Sequence, residues 1–299
     1  MKGKIKVKKL KSIGVMVTLS FVVLHCALRA QTEKSGYITV GPDKIYYDMA
    51  GIGPVIVFIH DGTIHREVWD DQLSYFSRSY EVVRYDRRGY GKSPAATVSY
   101  TNLDDLNALF TQLKIEKACL VGMSAGGRLA VDFTLLYPEK VTSLVLVGAV
   151  VGGFPYTSHM ADRGGHLPKI DTTDWAKYLQ QSRSYYVTED PYTIFSGNKA
   201  AKEKAKRLLL DNPRHLGHAR NEPPAAVPAY RRLNEIKVQT LILVGEYDIP
   251  DVHAHAGALN AGIMNSRRDI IRHAAHLPPL EQPEVFNKFV SEFLAGTPR

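Results

Sequence analysis

The chain has 299 residues and a formal net charge of +8. Its length is enough for one large domain with an inserted subdomain. Seven of the cations lie within Met1–Ala30, a segment without an acidic residue, so the rest of the chain has a net charge of about +1. A balance this close to neutral gives no reason to expect a nucleic-acid partner or a membrane-surface partner.

The first thirty residues have the layout of a secretory signal. A lysine-rich start is followed by an apolar run at 13–24 and by small residues before a cleavage point near Ala30. The apolar run is too short for a comfortable membrane span. We therefore expect export, to the periplasm or outside the cell, with cleavage near Ala30. An uncleaved anchor, or one lipidated at Cys26, is the alternative, although His25 is not the small residue that such lipidation sites favour.

Cleavage at that point would leave Cys119 as the one cysteine of the mature chain. A single cysteine cannot form an intrachain disulfide. Cys119 lies in an apolar run, where cysteine is most often a small buried hydrophobe.

Beyond the signal segment, apolar runs alternate with segments of helical spacing. The predicted strands are at residues 37–40, 44–49, 55–59, 81–85, 118–121, 143–147, 240–244 and 269–271. Helices are predicted at 66–78, with Trp69, Leu73 and Phe76 on one face, and at 103–113. A last helix begins at Pro283 and is expected to bury Val285, Phe286, Phe289, Val290 and Phe293. The alternation predicts an α/β fold, with a mostly parallel sheet covered by helices on both faces.

The alternation stops at residues 152–235, where helical segments such as 174–184 and 199–210 take over. We therefore predict a helical insertion at 152–235 in a core formed by residues 31–151 and 236–299. The insertion is rich in aromatic residues, and Phe154, Trp175 and Tyr186 are candidates to bind a substrate. Packing between the insertion and the core explains these aromatic residues equally well.

The strand predicted at 118–121 leads into Gly122-Met123-Ser124-Ala125-Gly126-Gly127. A strand that enters a helix through Gly-X-Ser-X-Gly forms a nucleophile elbow, a strained turn that lifts the serine hydroxyl above the sheet. A side chain at either outer glycine of this motif would collide across the turn. The alternative is a dinucleotide-binding turn, but that turn needs G-X-G-X-X-G, and here the glycine spacing differs. We therefore expect Ser124 to be a nucleophile.

Five segments in this order resemble the α/β-hydrolase superfamily, over almost the whole chain from Tyr37 onward. They are VIVFIHDG at 55–62, YDRRGYGKS at 85–93, VGMSAGG at 121–127, LILVGEYDIPD at 241–251 and HAAHLPPLEQPEVFN at 273–287. The nearest likeness is to small serine esterases, enol-lactonases and cofactor-free haloperoxidases. The resemblance implies an eight-stranded, mostly parallel sheet with a helical cap at 152–235, and no cofactor.

Acyl transfer by a serine needs a base that takes the hydroxyl proton and an acid that orients the base. In this fold the acid follows the serine and precedes the histidine. Asp248, just past the strand predicted at 240–244, is at the matching position, and Glu246 and Asp251 are alternatives. Some relatives place the acid one strand earlier, but residues 148–155 contain no carboxylate.

The base is expected on the loop after the last strand, where His273 and His276 both lie. The family pattern is a histidine followed by leucine and proline and then by Glu-Gln-Pro. His276 fits that pattern, and His273 is interpreted as a histidine packed near the loop.

The resemblance assigns the oxyanion hole to the backbone amides of Gly62 and Ala125, with Thr63 as a reserve donor. Asp61 stands where the family usually has glycine. Its carboxylate either repels the charge that develops beside the site or points away and holds the loop. A turn-forming aspartate is the simpler interpretation.

Two basic or histidine-rich patterns have simpler explanations than ligand binding. The cations of YDRRGYGKS suit an anionic substrate, but in the resembling family this loop is mainly structural and is held by its aspartate. His253 and His255, with His273 and His276, suggest a metal site. Because His-X-His at a helix start directs the two rings to different faces, we expect no metal.

We therefore predict a serine hydrolase that cleaves a carboxylic ester or lactone through an acyl-enzyme intermediate. A cofactor-free haloperoxidase or perhydrolase and a C–C bond hydrolase use the same three residues, so these activities stay open. A non-catalytic ligand-binding protein on the same scaffold is the alternative from another class. The expected partner is a small-molecule ester or lactone and not a nucleic acid, with a membrane involved only if the first thirty residues are retained or lipidated.

Overall fold

The computed structural model describes residues 33–164, 174–194, 197–210 and 227–297. The predicted signal segment, with Cys26, lies outside these ranges, so its cleavage and lipidation stay predictions. Within the described ranges, no helix has both the length and the apolar character needed to cross a membrane.

In the described part of the chain, eight strands form one sheet. They are β1 (Lys34–Val40), β2 (Asp43–Ala50), β3 (Val55–Ile59), β4 (Glu81–Tyr85), β5 (Ala118–Met123), β6 (Val141–Val147), β7 (Gln239–Gly245) and β8 (Ser266–Ile271). Their order across the sheet is β1-β2-β4-β3-β5-β6-β7-β8. The pairs β1/β2 and β2/β4 are antiparallel and all other neighbours are parallel, which confirms the predicted mostly parallel sheet.

From β3 onward, the connections between consecutive strands contain helices. The α-helices are α1 (Asp70–Phe76), α2 (Asn102–Gln112), α3 (Ala125–Leu136), α4 (Ser158–Gly164), α5 (Trp175–Thr188), α6 (Lys199–Leu210), α7 (Pro250–Gly262), α8 (Pro278–Glu281) and α9 (Pro283–Gly296). Short 3-10 helices cover Arg66–Trp69, Pro138–Lys140 and Ala229–Glu235. The single helix predicted at 66–78 is therefore a 3-10 turn followed by α1.

Helices cover both faces of the sheet because the strand side chains alternate between two hydrophobic clusters. In β3, Val57 and Ile59 join a cluster that includes residues of α2, α3 and α7. Ile56 and Phe58 point to the opposite cluster, which includes residues of α1, α6 and α9. Cys119 is buried in this second cluster, and burial raises the pKa of its thiol to about 12, which agrees with the expected role of a small hydrophobe.

Two sequence expectations change at the edge and surface of the molecule. The last strand begins at Ser266 and not at 269. The prediction missed its start because β8 is an edge strand whose first residues are polar and partly exposed. On α9, Phe286, Val290 and Phe293 are buried as expected, but the prediction for Val285 was wrong, since it is 41% exposed. One exposed apolar residue on a helix is normal in soluble proteins.

Between β6 and β7 the described residues contain helices and no strand, as predicted for the insertion. Helix α6 packs against the 3-10 helix Arg66–Trp69 and against α8. The 3-10 helix Ala229–Glu235 packs against α3 and α7, and its Leu233 lies in the first hydrophobic cluster. The exact bounds of the insertion at 152–235 stay a prediction.

The turn between β5 and α3 has space for glycine alone at two positions. A Cβ atom on Gly122 would lie 2.5 Å from the carbonyl oxygen of Gly126. A Cβ atom on Gly126 would overlap the carbonyl oxygens of Ile59 and His60. The collision predicted from the motif is confirmed, because strand, helix and the end of β3 meet at backbone contact.

A buried ion-pair network fixes the ends of β2 and β4. The carboxylate of Asp86 accepts hydrogen bonds from the amides of Arg66 (3.0 Å) and Lys92 (2.9 Å) and from Arg66 Nη1 (2.9 Å). Asp48 bridges Arg66 Nε at 2.8 Å and Arg84 Nε at 2.5 Å. Because these charges are buried, each depends on its partners for compensation.

We expect Asp86→Ala to lower the free energy of unfolding by about 3–5 kcal/mol, since it leaves the buried Arg66 undercompensated. The value should fall toward the lower end because Arg66 keeps Asp48. Urea denaturation followed by circular dichroism measures it. Asp71→Ala, which removes a half-exposed pair with Lys204, is the control and should change stability by at most about 1 kcal/mol. Equal losses in both variants would contradict the role of the network.

We expect Gly122→Ala to destabilise the fold by about 1–3 kcal/mol through overpacking at the turn. Gly257→Ala on α7 is the matched control, because its nearest neighbour is Arg268 Nη1 at 3.8 Å and alanine favours a helix. Thermal unfolding of the two variants distinguishes them. A Gly122→Ala protein as stable as the wild type would show that the turn tolerates a side chain.

Candidate active site

Ser124 lies at the tip of the turn between β5 and α3. Its backbone has φ 53° and ψ −116°, a conformation that L-residues other than glycine adopt rarely. The strain is held by neighbours: its amide donates to the Val147 carbonyl of β6 at 2.9 Å, and its carbonyl accepts from the Arg128 amide at 3.0 Å. Ser124 therefore sits at the carboxyl ends of the parallel strands, with its side chain partly exposed.

His276 faces Asp248 across the ends of β7 and β8. Its Nδ1 lies 2.9 Å from Oδ1 and 3.1 Å from Oδ2 of Asp248. Because a carboxylate oxygen accepts hydrogen bonds, this contact favours the tautomer with the proton on Nδ1 and the acceptor lone pair on Nε2. The Asp248 side chain is fully buried, and its Oδ1 also accepts from the Ile249 amide at 2.7 Å. Gly148 makes room for the pair, because a Cβ there would lie 3.0 Å from Asp248 Oδ2 and 3.2 Å from His276 Nδ1.

The alternative acids and the alternative histidine are engaged elsewhere. Glu246 accepts a hydrogen bond from the His273 amide at 3.0 Å. The buried Asp251 binds the amide and the hydroxyl of Thr157, at the start of the insertion. His273 is exposed and has a positive φ of 55°. The structure therefore pairs His276 with Asp248 and places the alternatives in loop contacts.

Ser124 and His276 line the same pocket, which has a volume of about 220 Å³. The rest of its lining is apolar or uncharged and comes from Thr63, Ala125, Val150, Tyr156, Met160, Thr193, Ile249 and Val252. The sequence alone did not single out Tyr156 among the aromatic residues of the insertion, and it gave no indication of Val150, Met160, Thr193, Ile249 or Val252 as lining residues. For Val150, Ile249 and Val252 the available signal was their position shortly after β6 or β7, because ligands bind at the carboxyl ends of parallel strands. Met160 and Thr193 lie in the insertion and had no such signal.

The predicted oxyanion residues lie side by side. A Cβ atom on Gly62 would be 3.7 Å from Cβ of Ala125, and Thr63 joins the pocket lining. Asp61 is buried, and its Oδ1 accepts from the Ile64 amide at 3.0 Å. That contact agrees with the interpretation of Asp61 as a turn residue that holds the loop.

The two arginines of YDRRGYGKS serve the scaffold. Arg87 donates to the Asp61 carbonyl at 2.7 Å, and Arg88 binds Asp105 and Asp43. Both side chains are buried and lie outside the pocket lining, which supports the structural interpretation of this loop over anion recognition.

The three aromatic candidates of the insertion have different outcomes. Phe154 is half-buried, packs edge-on against Tyr230 and His255, and lies outside the pocket lining. The side chains of Trp175 and Tyr186 lie outside the described residues, so their role stays a prediction.

The histidines do not assemble a metal site in the part of the chain that the structure describes. His253 contacts Arg268, whereas Nδ1 of the buried His255 accepts from the Val151 amide at 3.1 Å. Burial lowers the pKa of His255, which favours the neutral ring among Phe154 and Tyr156. The two rings of His-X-His therefore have separate structural contacts.

Comparison with known proteins agrees with this geometry. A family model for the alpha/beta hydrolase family matches residues 56–289. A 2-hydroxy-6-oxononadienedioate/2-hydroxy-6-oxononatrienedioate hydrolase of Escherichia coli (strain K12) is 30% identical over 275 residues, 84% of this chain and 91% of that protein.

Two solved structures have the same fold. A thermophilic esterase from Thermogutta terrifontis has a TM-score of 0.70 and 23% identity, covering 88% of this chain and 98% of that one. The enol-lactonase from Burkholderia xenovorans LB400 has a TM-score of 0.67 and 20% identity, covering 87% and 100%. With the family match, the sheet order and the serine turn, these likenesses show that the chain belongs to the alpha/beta hydrolase family.

Proposed function

We propose that this protein is a serine hydrolase that cleaves a carboxylic ester or a lactone through an acyl-enzyme intermediate. One observation carries the proposal. His276 is oriented by the buried Asp248 and lines the same pocket as Ser124, which projects from a strained turn. This is the combination of nucleophile, base and orienting acid that acyl transfer requires.

In the proposed cycle, Ser124 Oγ attacks the carbonyl carbon while Nε2 of His276 takes the hydroxyl proton. Asp248 stabilises the imidazolium that forms. The amides of Gly62 and Ala125 bind the tetrahedral oxyanion, and each such donor typically contributes about 3 kcal/mol to the transition state. His276 then returns the proton to the leaving alkoxide, and a water molecule repeats the sequence to release the acid.

The uncharged character of the described pocket lining supports an ester or lactone over a dicarboxylate. The Escherichia coli relative is named for a dienedioate, a substrate with two carboxylates. Burying a carboxylate without a cation or several donors is costly. Among the described lining residues there is no lysine or arginine, and Val150, Met160, Ile249 and Val252 present apolar surface. C–C bond hydrolysis stays the second candidate, because the named relative and the shared arrangement of residues favour it.

We expect Ser124→Ala to lower kcat for the best ester or lactone by at least about 10³-fold with an intact fold, because the nucleophile is lost. Turnover of a panel of acyl esters, lactones and a carboxylate-bearing dienoate measures both the mechanism and the substrate preference. Ser291→Ala, on α9 and outside the pocket lining, is the control and should keep full activity.

A kcat of Ser124→Ala equal to that of the wild type would contradict the serine mechanism. Labelling of Ser124 by a fluorophosphonate without turnover of any ester would favour a perhydrolase or a ligand-binding protein. Faster turnover of the dienoate than of every ester would favour C–C hydrolysis.

We also propose that the protein acts outside the cytoplasm, on the basis of its first thirty residues. Expression of the full chain in a bacterium, followed by fractionation and N-terminal sequencing, should find a product that begins near residue 31. An intact N-terminus in the membrane fraction would show instead that the segment is a retained anchor.

A further inference from the structure

Three consecutive backbone amides around His276 are held by two different sets of partners. The amides of Ala275 and Leu277 donate to one oxygen of Glu281, Oε1, at 2.9 and 3.1 Å. The amide of His276 itself donates to the carbonyls of Tyr192 and Thr193, at 3.0 and 3.1 Å. Because neighbouring amides are held by different partners, the backbone angles on both sides of His276 are fixed. The direction in which its ring leaves the chain is therefore fixed as well.

Glu281 is placed for this role by its own surroundings. It is the last residue of α8, a short helix that begins with Pro278 and Pro279, and it is 4% exposed. A buried carboxylate is stabilised by the backbone amides that donate to it. Without an acceptor at this point, the buried amides of Ala275 and Leu277 would lack partners, and the loop would be expected to rearrange.

The same residue joins the base to the insertion. The Glu281 carbonyl accepts a hydrogen bond from Asn198 Nδ2 at 2.7 Å, and Asn198 Oδ1 accepts from the Ala201 amide in the first turn of α6. Side chain and backbone of Glu281 therefore link the loop of His276 to α6. Tyr192 and Thr193, which precede α6, hold the other side of that loop.

We propose that Glu281 is a positioning residue of the hydrolytic site: its carboxylate clamps the loop so that His276 stays aligned between Asp248 and Ser124. The inference rests on the proposed function. Glu281 touches no reacting atom and acts through the orientation of the base. Misplacement of a catalytic group by about 1 Å can cost about 10²-fold in rate, so the effect belongs in kcat and not in substrate binding.

The test compares three variants of Glu281 with a control on the neighbouring helix. Glu281→Ala should lower kcat per active site about 10- to 100-fold with KM within about twofold. Glu281→Gln, whose carbonyl oxygen can accept both amides, should recover most of that loss. Glu281→Asp, one methylene shorter, should resemble the alanine variant. Glu284→Ala, an exposed carboxylate on the first turn of α9, should leave kcat unchanged.

Active sites are counted by fluorophosphonate titration, so a smaller folded fraction is not mistaken for slower chemistry. Unchanged kcat per titrated site in Glu281→Ala would overturn the proposal, as would a folded Glu281→Gln that is as slow as the alanine variant. If Glu281→Ala does not fold, the comparison of Glu281→Asp with Glu281→Gln decides: equal kcat per site in these two overturns the clamp.

A second readout needs no turnover. The Nδ1 proton of His276, bound to Asp248, should give a downfield proton resonance in the wild type and in Ser124→Ala. That resonance should shift or broaden in Glu281→Ala and persist in Glu281→Gln. An unaltered resonance in Glu281→Ala would overturn the positioning role, whereas turnover that survives Ser124→Ala would overturn only the proposed function.

Discussion

The hydrogen bond between His276 and Asp248 is the contact on which the candidate site depends. It joins two loops that follow β7 and β8, and it exists because these strands are parallel neighbours whose carboxyl ends lie together. Asp248 is fully buried, so its interaction with the ring is screened little by water. Gly148, after β6, leaves the space that the pair occupies. Three adjacent strand ends thus contribute to one contact.

The insertion contributes both backbone hydrogen bonds and lining residues to the candidate site. The backbone of Tyr192 and Thr193 holds the amide of His276, and Thr157 is bound to Asp251, three residues after Asp248. Tyr156 and Met160, both from the insertion, also line the pocket. A change in the insertion is therefore expected to reach the base through backbone hydrogen bonds, even where no side chain of the insertion touches a substrate.

Much of the fold follows from local pattern. Val57 and Phe58 belong to a continuous apolar run, which predicts a strand buried on both faces. Gly122 and Gly126 predict the serine turn. Pattern fails where local signals are weak. The start of β8 was missed because an edge strand is partly solvated and can begin with polar residues. Val285 was wrongly predicted to be buried because the spacing of apolar residues on a helix does not show how wide its buried face is.

By itself, the sequence determined the α/β fold and the strained position of Ser124, since each is encoded in patterns of neighbouring residues. The expected order of serine, acid and histidine came from the family resemblance. The sequence left Glu246 and Asp251 beside Asp248, and His273 beside His276. Only the tertiary structure showed that His276 contacts Asp248, and only it showed the hydrogen bonds of Glu281 and the lining of the pocket. The physical reason is distance along the chain: these contacts join separate loops, and their geometry is set by how the sheet and its helices pack.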